Sequence, residues 1–262
     1  MTYWFIFCKT DLLLQKQADG SYTIPCSEES PIALKPWTHV LNISPMEDGT
    51  EVKAFTIDTP VTDNPNYEMC GLRPSYYKLS RDLYLKAGKC HELIYWDQNT
   101  QFCGICGAPM KMSTDISKKC TQCGKSVWPS LATAIIVLIR RGEEVLLVHA
   151  RNFKSDFYGL VAGFVETGET LEQAVHREVM EETGLEATSV AYQFSIPNLY
   201  LYSGLTIHTL DMFYIVEVKD LSHVEAKDDA AEYLWISLNE IRIEEFGLRS
   251  IRQGLSRFLK KS

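Results

Sequence analysis

The chain has 262 residues, 45% of them apolar and 11% aromatic, enough to bury a sizeable core and to divide into two domains. Its formal net charge of −8 excludes nucleic-acid binding driven by overall charge, because phosphate contact leaves a basic footprint. No run approaches the ~20 apolar residues of a membrane span, and the opening MTYWFIFCKTD lacks the charged start and long apolar core of a signal peptide, so a cytoplasmic protein is expected.

Residues 1–99 read as a β-rich domain. YWFIF and LLLQ flank a turn at Lys9–Asp11, SYTI follows the turn ADG, and VKAFTI follows EDGT. A helix, RDLYLKAGKCHELIYWDQ, opens after Ser80 despite Gly88 in its middle. No catalytic constellation is visible in this region. Cys8, Cys26, Cys70 and Cys90 are scattered without metal-like spacing and read as buried, reduced thiols.

Residues 100–129 contain CGICGAPM and CTQCGK. Cys103 with Cys106, and Cys120 with Cys123, form two C-x2-C knuckles separated by thirteen residues. This spacing suits one tetrahedral Zn²⁺ per chain, because each tight turn presents two thiolates. Gly104, Gly107 and Gly124 are expected to ease the backbone of those turns. Four thiolates leave no open coordination position, so the zinc is expected to be structural. Lys111, Lys118, Lys119 and Lys125 make the ribbon mildly basic, which keeps an adaptor role toward RNA or protein as an alternative, although no basic-aromatic stacking platform accompanies them.

From residue 130 to 262 the texture changes. LATAIIVLI and VLLVHA flank the turn RRGEE as a hairpin, and YGLVAGFVE leads into the loop ETGE. Thr170-Leu171-Glu172-Gln173 has the form of a capping box, and Gly184 follows the helix it would start. Strands are expected at ATSVAYQFSI and LTIHTLDMFYIVEV, followed by the acidic stretch EAKDDAAEYLWISLNEI and an amphipathic helix near LRSIRQGLSRFLKK.

The capped helix carries an anomaly. At about 100° per residue, Leu171, Ala174 and Val175 share one side, with Glu178 and Glu182 between them and Glu181 at the edge. A solvated acidic helix end would explain Glu181 but not carboxylates that interrupt the apolar stripe. Buried carboxylates must be paired, protonated or bound to metal, and Arg177 alone cannot neutralise three of them. Grouped hard oxygen ligands suit Mg²⁺ or Mn²⁺.

Gly163 through Leu185, GFVETGETLEQAVHREVMEETGL, resembles the Nudix box, G-x5-E-x7-R-E-U-x-E-E-x-G-U with U aliphatic. All nine specified positions are filled, by Gly163, Glu169, Arg177, Glu178, Val179, Glu181, Glu182, Gly184 and Leu185. The resemblance implies an α/β/α sandwich with a mixed sheet, so the chain as a whole is expected to be α+β: a β-rich N-terminal domain, a zinc ribbon, then the sandwich. It also implies a hydrolase that cleaves a nucleoside diphosphate linked to another moiety, with Glu178 and Glu182 as metal ligands and Glu181 as ligand or proton acceptor. The Ala162 carbonyl would complete the shell, and Arg177 would orient Glu169 and its neighbours by charge-assisted hydrogen bonds.

A ribbon followed by a Nudix domain is similar to the bacterial NADH pyrophosphatase subfamily. WDQNTQFCGICG from Trp96, VWP at 127–129, LVAGFVETGETLEQAV and EYLWISLNEI carry that likeness, which runs from about Trp96 to Ile241. It implies cleavage of NAD(H) to two mononucleotides, and the NAD cap of RNA has the same linkage. Carried across by position, Trp128 and Phe164 would stack on the substrate base, where an ordinary core aromatic is the alternative for each. A late acidic ligand would be Asp229 or Glu232, and the family implies a homodimer. The subfamily signature S-Q-P-W-P-F-P-x-S is replaced by SIPNLYLYSG, in which Ser195, Pro197 and Ser203 survive and Tyr200 and Tyr202 offer stacking surfaces. That departure keeps open an ADP-ribose or dinucleoside polyphosphate hydrolase. A nucleotide-sensing regulator without hydrolysis is the alternative of another class, opposed by the complete acid set.

Overall fold

The computed structural model describes residues 1–150, 158–202, 205–218, 230–243, 246 and 249–259. Its contacts separate two units, Met1–Ser130 and Leu131–Ser262.

In the first unit, the apolar runs near the N-terminus have no polar face, so they become interior strands covered on both sides. Strands β1 (Thr2–Cys8) and β2 (Asp11–Lys16) pair antiparallel around Lys9. With β3 (Tyr22–Thr23), β4 (Cys26–Ser27), β5 (Leu41–Ile43), β6 (Glu51–Thr56) and β7 (Tyr67–Gly71) they form a seven-stranded sheet in which β6 runs parallel to β1. One face packs Trp4, Ile6, Leu13 and Phe55 together. Helix α1 (Arg81–Asn99) starts where the Ser80 hydroxyl accepts the Leu83 amide, as its N-cap should. It buries Ala87, Cys90 and His91, and the His91 ring meets Phe7 edge-on at 5.2 Å.

Burial depresses His91 to a pKa of about 4, against a weaker opposing hydrogen bond with the Lys9 backbone. The unfolded chain therefore binds a proton that the folded chain refuses between about pH 6.5 and 4. The stability tied to a neutral His91 is fully present above pH 6.5 and is lost as the pH falls toward 4, on the order of 3 kcal/mol in all. Denaturant titrations across that range are expected to show the loss, and His91→Gln should flatten it; an equally steep slope in the variant would assign the acid sensitivity elsewhere.

The ribbon belongs to this first unit. Strands β8 (Met110–Thr114), β9 (Ser117–Cys120) and β10 (Ser126–Val127) make a small antiparallel sheet. Lys118 of β9 is 2% exposed. Its ammonium pairs with Asp97 Oδ1 at 2.7 Å and donates to the carbonyls of Asp97 and Thr100 at 2.7 and 3.2 Å. It thus serves as a cationic cap on the last turn of α1, where a positive charge is favoured. This removes Lys118 from the basic set of the ribbon, while Lys111 and Lys119 are exposed and Lys125 is half-buried.

The second unit contains β11 (Ala132–Arg141), β12 (Glu144–Ala150), β13 (Val161–Phe164), α2 (Leu171–Thr183), β14 (Ala187–Tyr202), β15 (Leu205–Val218), β16 (Ala230–Ser237) and α3 (Arg249–Leu259). The sheet order is β14-β15-β11-β12-β16, with β13 paired to β11; β11 and β15 are parallel and their other partners antiparallel. Helix α2 covers one face, packing Ala174, Val175 and Val179 on Ile135, Val137, Val161 and Tyr214. Helix α3 covers the other, packing Ile251, Leu255 and Phe258 on Ile136 and Phe213. The result is an α/β/α sandwich around a mixed sheet. The second half of the stretch read as acidic is strand β16. Among the described residues no helix is long and apolar enough to cross a membrane.

Candidate active site

Helix α2 is fixed at both ends by its own sequence. The Gln173 amide donates to Thr170 Oγ1 at 3.2 Å and the Thr170 amide to Gln173 Oε1 at 2.7 Å, which closes the capping box. Gly184 stops the helix at φ 69°, its N–H reaching the Met180 carbonyl at 2.9 Å. Between these ends the packed face is Ala174, Val175 and Val179, which carries Glu178 into the interior beside β13.

Glu178 occupies space that only glycine leaves. A Cβ on Gly163 would lie 1.9 Å from Glu178 Oε1 and 2.0 Å from its Cδ. Burial raises the pKa of the Glu178 carboxyl above its ordinary value, and Arg177 opposes that rise. Arg177 is the hub of the site: Nε and Nη2 hold Glu169 at 3.0 and 2.7 Å, Nη1 holds Glu178 at 2.8 Å and Glu181 at 3.0 Å, and Nη2 also donates to the Phe164 carbonyl at 3.0 Å. Those hydrogen bonds hold the Glu169 carboxyl below the usual range. Glu169 Oε1 in turn accepts the Glu166 amide at 2.7 Å, so the loop between β13 and α2 is tied to the helix. Glu182 faces the start of β13, its Oε1 lying 3.4 Å from the Ala162 amide.

Three carboxylates and the Ala162 carbonyl form an all-oxygen donor set that suits a hard divalent cation. Glu178 and Glu181 both lean on the same Arg177 nitrogen. Among the described residues only the four cysteines bring three or more ligand atoms within 4.8 Å of one another. A cation held by the glutamates would draw together the oxygens that Arg177 leaves open, Glu178 Oε2 and Glu181 Oε1, since Arg177 takes only the other oxygen of each. The donors fit in kind; the gathering remains to be done by the ion.

Strand parity sorts the other predicted residues. The rows Ile135–Gly163 and Ala134–Phe164 alternate across β11 and β13, so Gly163 faces α2 and Phe164 faces the opposite side. On β14, Ser195 lies opposite Met212 on the α2 side and Pro197 follows it there, whereas Tyr200 shares the other face with Phe164. Phe164 is 50% exposed. Of the four substrate candidates in the second unit, Phe164 and Tyr200 share one side of the sheet and Ser195 and Pro197 take the other; Trp128, 60% exposed, belongs to the first unit. Glu232 is exposed on β16, alternating with Tyr233 and Trp235, which pack toward α2. Asp229 and Ser203 lie outside the described residues, as do the side chain of Tyr202 and parts of the tail.

One buried group has no counterpart in the sequence reading. Asp211 of β15 is 0% exposed and accepts from Thr209 Oγ1 at 2.8 Å, Asn198 Nδ2 at 3.0 Å and the Tyr200 hydroxyl at 3.1 Å. An acid inside the apolar strand segment HTLDMFY was the available signal. The cluster commits the Tyr200 hydroxyl inward and leaves only its ring for contact.

The metal centre in the ribbon is compact. Cys103, Cys106, Cys120 and Cys123 bring their sulfurs together, with Cys103 and Cys123 at 3.6 Å and Cys106 and Cys120 at 3.5 Å. The amides of Gln122 and Cys123 point at Cys120 Sγ, each at 3.4 Å, and with the Cys123 amide foremost they lower that thiol to about 6. Gly107 and Gly124 take the left-handed backbone these turns need, at φ 73° and 76°. Gly104 does not; its expected special role is absent. Four thiolates so close require a cation to ionise together. Chelation is expected to remove about one metal ion per chain and to lower the thermal stability of the protein, as read by elemental analysis and melting curves; a metal-free chain with unchanged melting would refute the centre.

The capped helix, the glycine beneath Glu178 and the arginine hub within an α/β/α sandwich place the chain in the Nudix hydrolase family. Residues 129–258 match the NUDIX domain, and residues 1–96 match the NADH pyrophosphatase-like rudimentary NUDIX domain. Among curated proteins the chain is similar to the NAD-capped RNA hydrolase NudC of Deinococcus radiodurans, with 36% identity over 179 residues covering 66% of this chain and 62% of the relative. It is likewise 31% identical over 194 residues to the NAD-capped RNA hydrolase NudC of Pseudomonas aeruginosa, covering 74% and 67% of the two chains. A solved NUDIX hydrolase from Nitrosomonas europaea aligns with a TM-score of 0.48 at 21% identity, over 62% of this chain and 92% of that one. The chain spans between about half and two thirds of the length of the curated relatives it matches.

Proposed function

We propose that this chain hydrolyses the pyrophosphate of NAD(H), or of a close relative such as the NAD cap of RNA, into two mononucleotides. The observation that carries the proposal is the desolvated Glu178 seated over Gly163, in an acid set whose geometry is held by Arg177. Pairing of that site with an NADH pyrophosphatase-like N-terminal domain in the same chain supports this substrate class. When bound, Mg²⁺ or Mn²⁺ would neutralise the anionic oxygens that oppose attack and lower the pKa of a water. Glu178, Glu182 and the Ala162 carbonyl would hold the ion, with Glu181 as further ligand or proton acceptor and Asp229 or Glu232 as a late ligand. Arg177 and Glu169 keep the loop and helix in register. Phe164 and the Tyr200 ring offer apolar faces to a base, and Trp128 is a candidate for the same task.

The four-cysteine centre is proposed to hold structural zinc. A Zn–S bond of about 2.3 Å implies a tetrahedral edge of about 3.8 Å, near the 3.5 and 3.6 Å sulfur separations of the ribbon. The absence of any disulfide among the eight cysteines, four of them proposed zinc ligands, fits a reducing, cytoplasmic setting, and a homodimer is proposed from the subfamily resemblance.

Product analysis tests the reading. NADH, NAD⁺, ADP-ribose, diadenosine polyphosphates and NAD-capped RNA are incubated with Mg²⁺ or Mn²⁺, with Glu182→Gln as blank. Preferential release of AMP and the nicotinamide mononucleotide is the expected result. Preference for ADP-ribose or a dinucleoside polyphosphate would mean that SIPNLYLYSG has changed the substrate, and tight binding without cleavage would favour a sensor.

A further inference from the structure

The first unit holds a cavity of about 690 Å³ that the proposed hydrolysis does not use, within the ordinary range for a small-molecule site. Phe55, 1% exposed, lies on its apolar floor, and Trp37 stands at its rim with 73% of its surface open. The indole already shows what it attracts: the Lys35 ammonium lies 5.6 Å from the ring centroid, a cation–π contact.

The charge of the lining points the same way. Lys35 is paired with Asp58 at 2.8 Å and Asp97 with Lys118 at 2.7 Å. Counting histidine as neutral, Asp63 then leaves the lining with a net negative charge, since it has no ion pair among the described residues. A phosphate is repelled there and a cation is welcomed. Asp97 adds direction. It is 7% exposed, its Oδ1 is spent on Lys118, and its Oδ2 accepts no hydrogen bond among the described residues, the nearest cationic candidate being His39 Nε2 at 3.7 Å. Asp97 lines the cavity and its Oδ2 retains access to it, so its lone pairs can accept from hydroxyl donors, and a ribose diol supplies two.

We infer that this cavity binds a ribonucleoside whose flat ring is cationic, of the pyridinium type, with the ring against Trp37 and the ribose hydroxyls on Asp97. The acidic helix that would hydrolyse a substrate is confined to the second unit; among the described residues of the first, no carboxylate group gathers as metal ligands do. The cavity is a binding site, independent of whether the Nudix helix cleaves NAD(H).

Oxidised nicotinamide riboside is the probe, compared with neutral adenosine and anionic AMP by calorimetry on the full chain, in the parent and in Trp37→Leu, Asp63→Asn and Phe164→Ala. The probe contains no pyrophosphate, so the result does not depend on catalysis. Nicotinamide riboside is expected to bind at least tenfold more tightly than adenosine, and AMP more weakly still. Trp37→Leu should weaken the probe at least tenfold with unchanged melting, Asp63→Asn should narrow its advantage over adenosine, and Phe164→Ala should leave it alone. Absence of saturable binding, unchanged affinity in Trp37→Leu, loss of binding in Phe164→Ala, or AMP binding as tightly as the probe would each overturn the site.

Discussion

Glu182→Gln is expected to lower hydrolysis by about 10² to 10⁴-fold, the equivalent of several kcal/mol of transition-state stabilisation, with thermal stability close to that of the parent. The substitution preserves length and shape, and the glutamine oxygen can still approach the Ala162 amide as Glu182 does at 3.4 Å. The backbone of residue 182 keeps its own anchor, since the Tyr233 hydroxyl donates to its carbonyl. What disappears is a negative charge at the mouth of the acid set. Steady-state kinetics, a melting curve and titration with Mn²⁺ followed by spin resonance separate the two effects. Normal turnover in a folded variant would remove Glu182 from the chemistry, and with it the proposed assignment of the ion.

Gly163→Ala tests the same site from the strand side. The backbone at Gly163 is not in the left-handed region, so alanine costs no strain there. Its methyl carbon, however, would sit 2.0 Å from the Glu178 carboxyl carbon. The far end of a glutamate can turn away cheaply, so the fold should survive while Glu178 leaves its place beside Arg177. Misplacement by an ångström is enough to cost about a hundredfold in rate, and at least that loss is expected in kcat with little change in melting temperature. Full activity would show that Glu178 need not occupy the pocket over Gly163.

Features with local causes were legible in the chain. Thr170, Gln173 and Gly184 define α2 because capping chemistry lies within four residues of each end, and Ser80 does the same for α1. The strand expected at ATSVAYQFSI continues through Pro197 to Tyr202. A proline argues against an interior strand, but among the described residues β14 is an edge paired only with β15, where a missing N–H is tolerated. The separation of Ser195 and Pro197 from Tyr200 follows from strand alternation alone, because odd and even positions of β14 face opposite sides. The acid Asp211 stood out within HTLDMFY, but its network was not legible, because its donors Asn198 and Tyr200 come from the neighbouring strand, 13 and 11 positions away in the chain. Nor was the burial of Lys118, whose partner Asp97 lies 21 residues earlier, at the end of a helix.

The Lys118 contact gives the ribbon a reach beyond its own loops. A metal that binds only the folded ribbon adds its binding energy to the folded state, and the buried ammonium passes that energy to the last turn of α1. The N-terminal unit then inherits a dependence on free metal concentration. In heat denaturation, the transition that contains α1 should track the chelator, and metal supply becomes a quality check on a domain to which no hydrolytic acid is assigned.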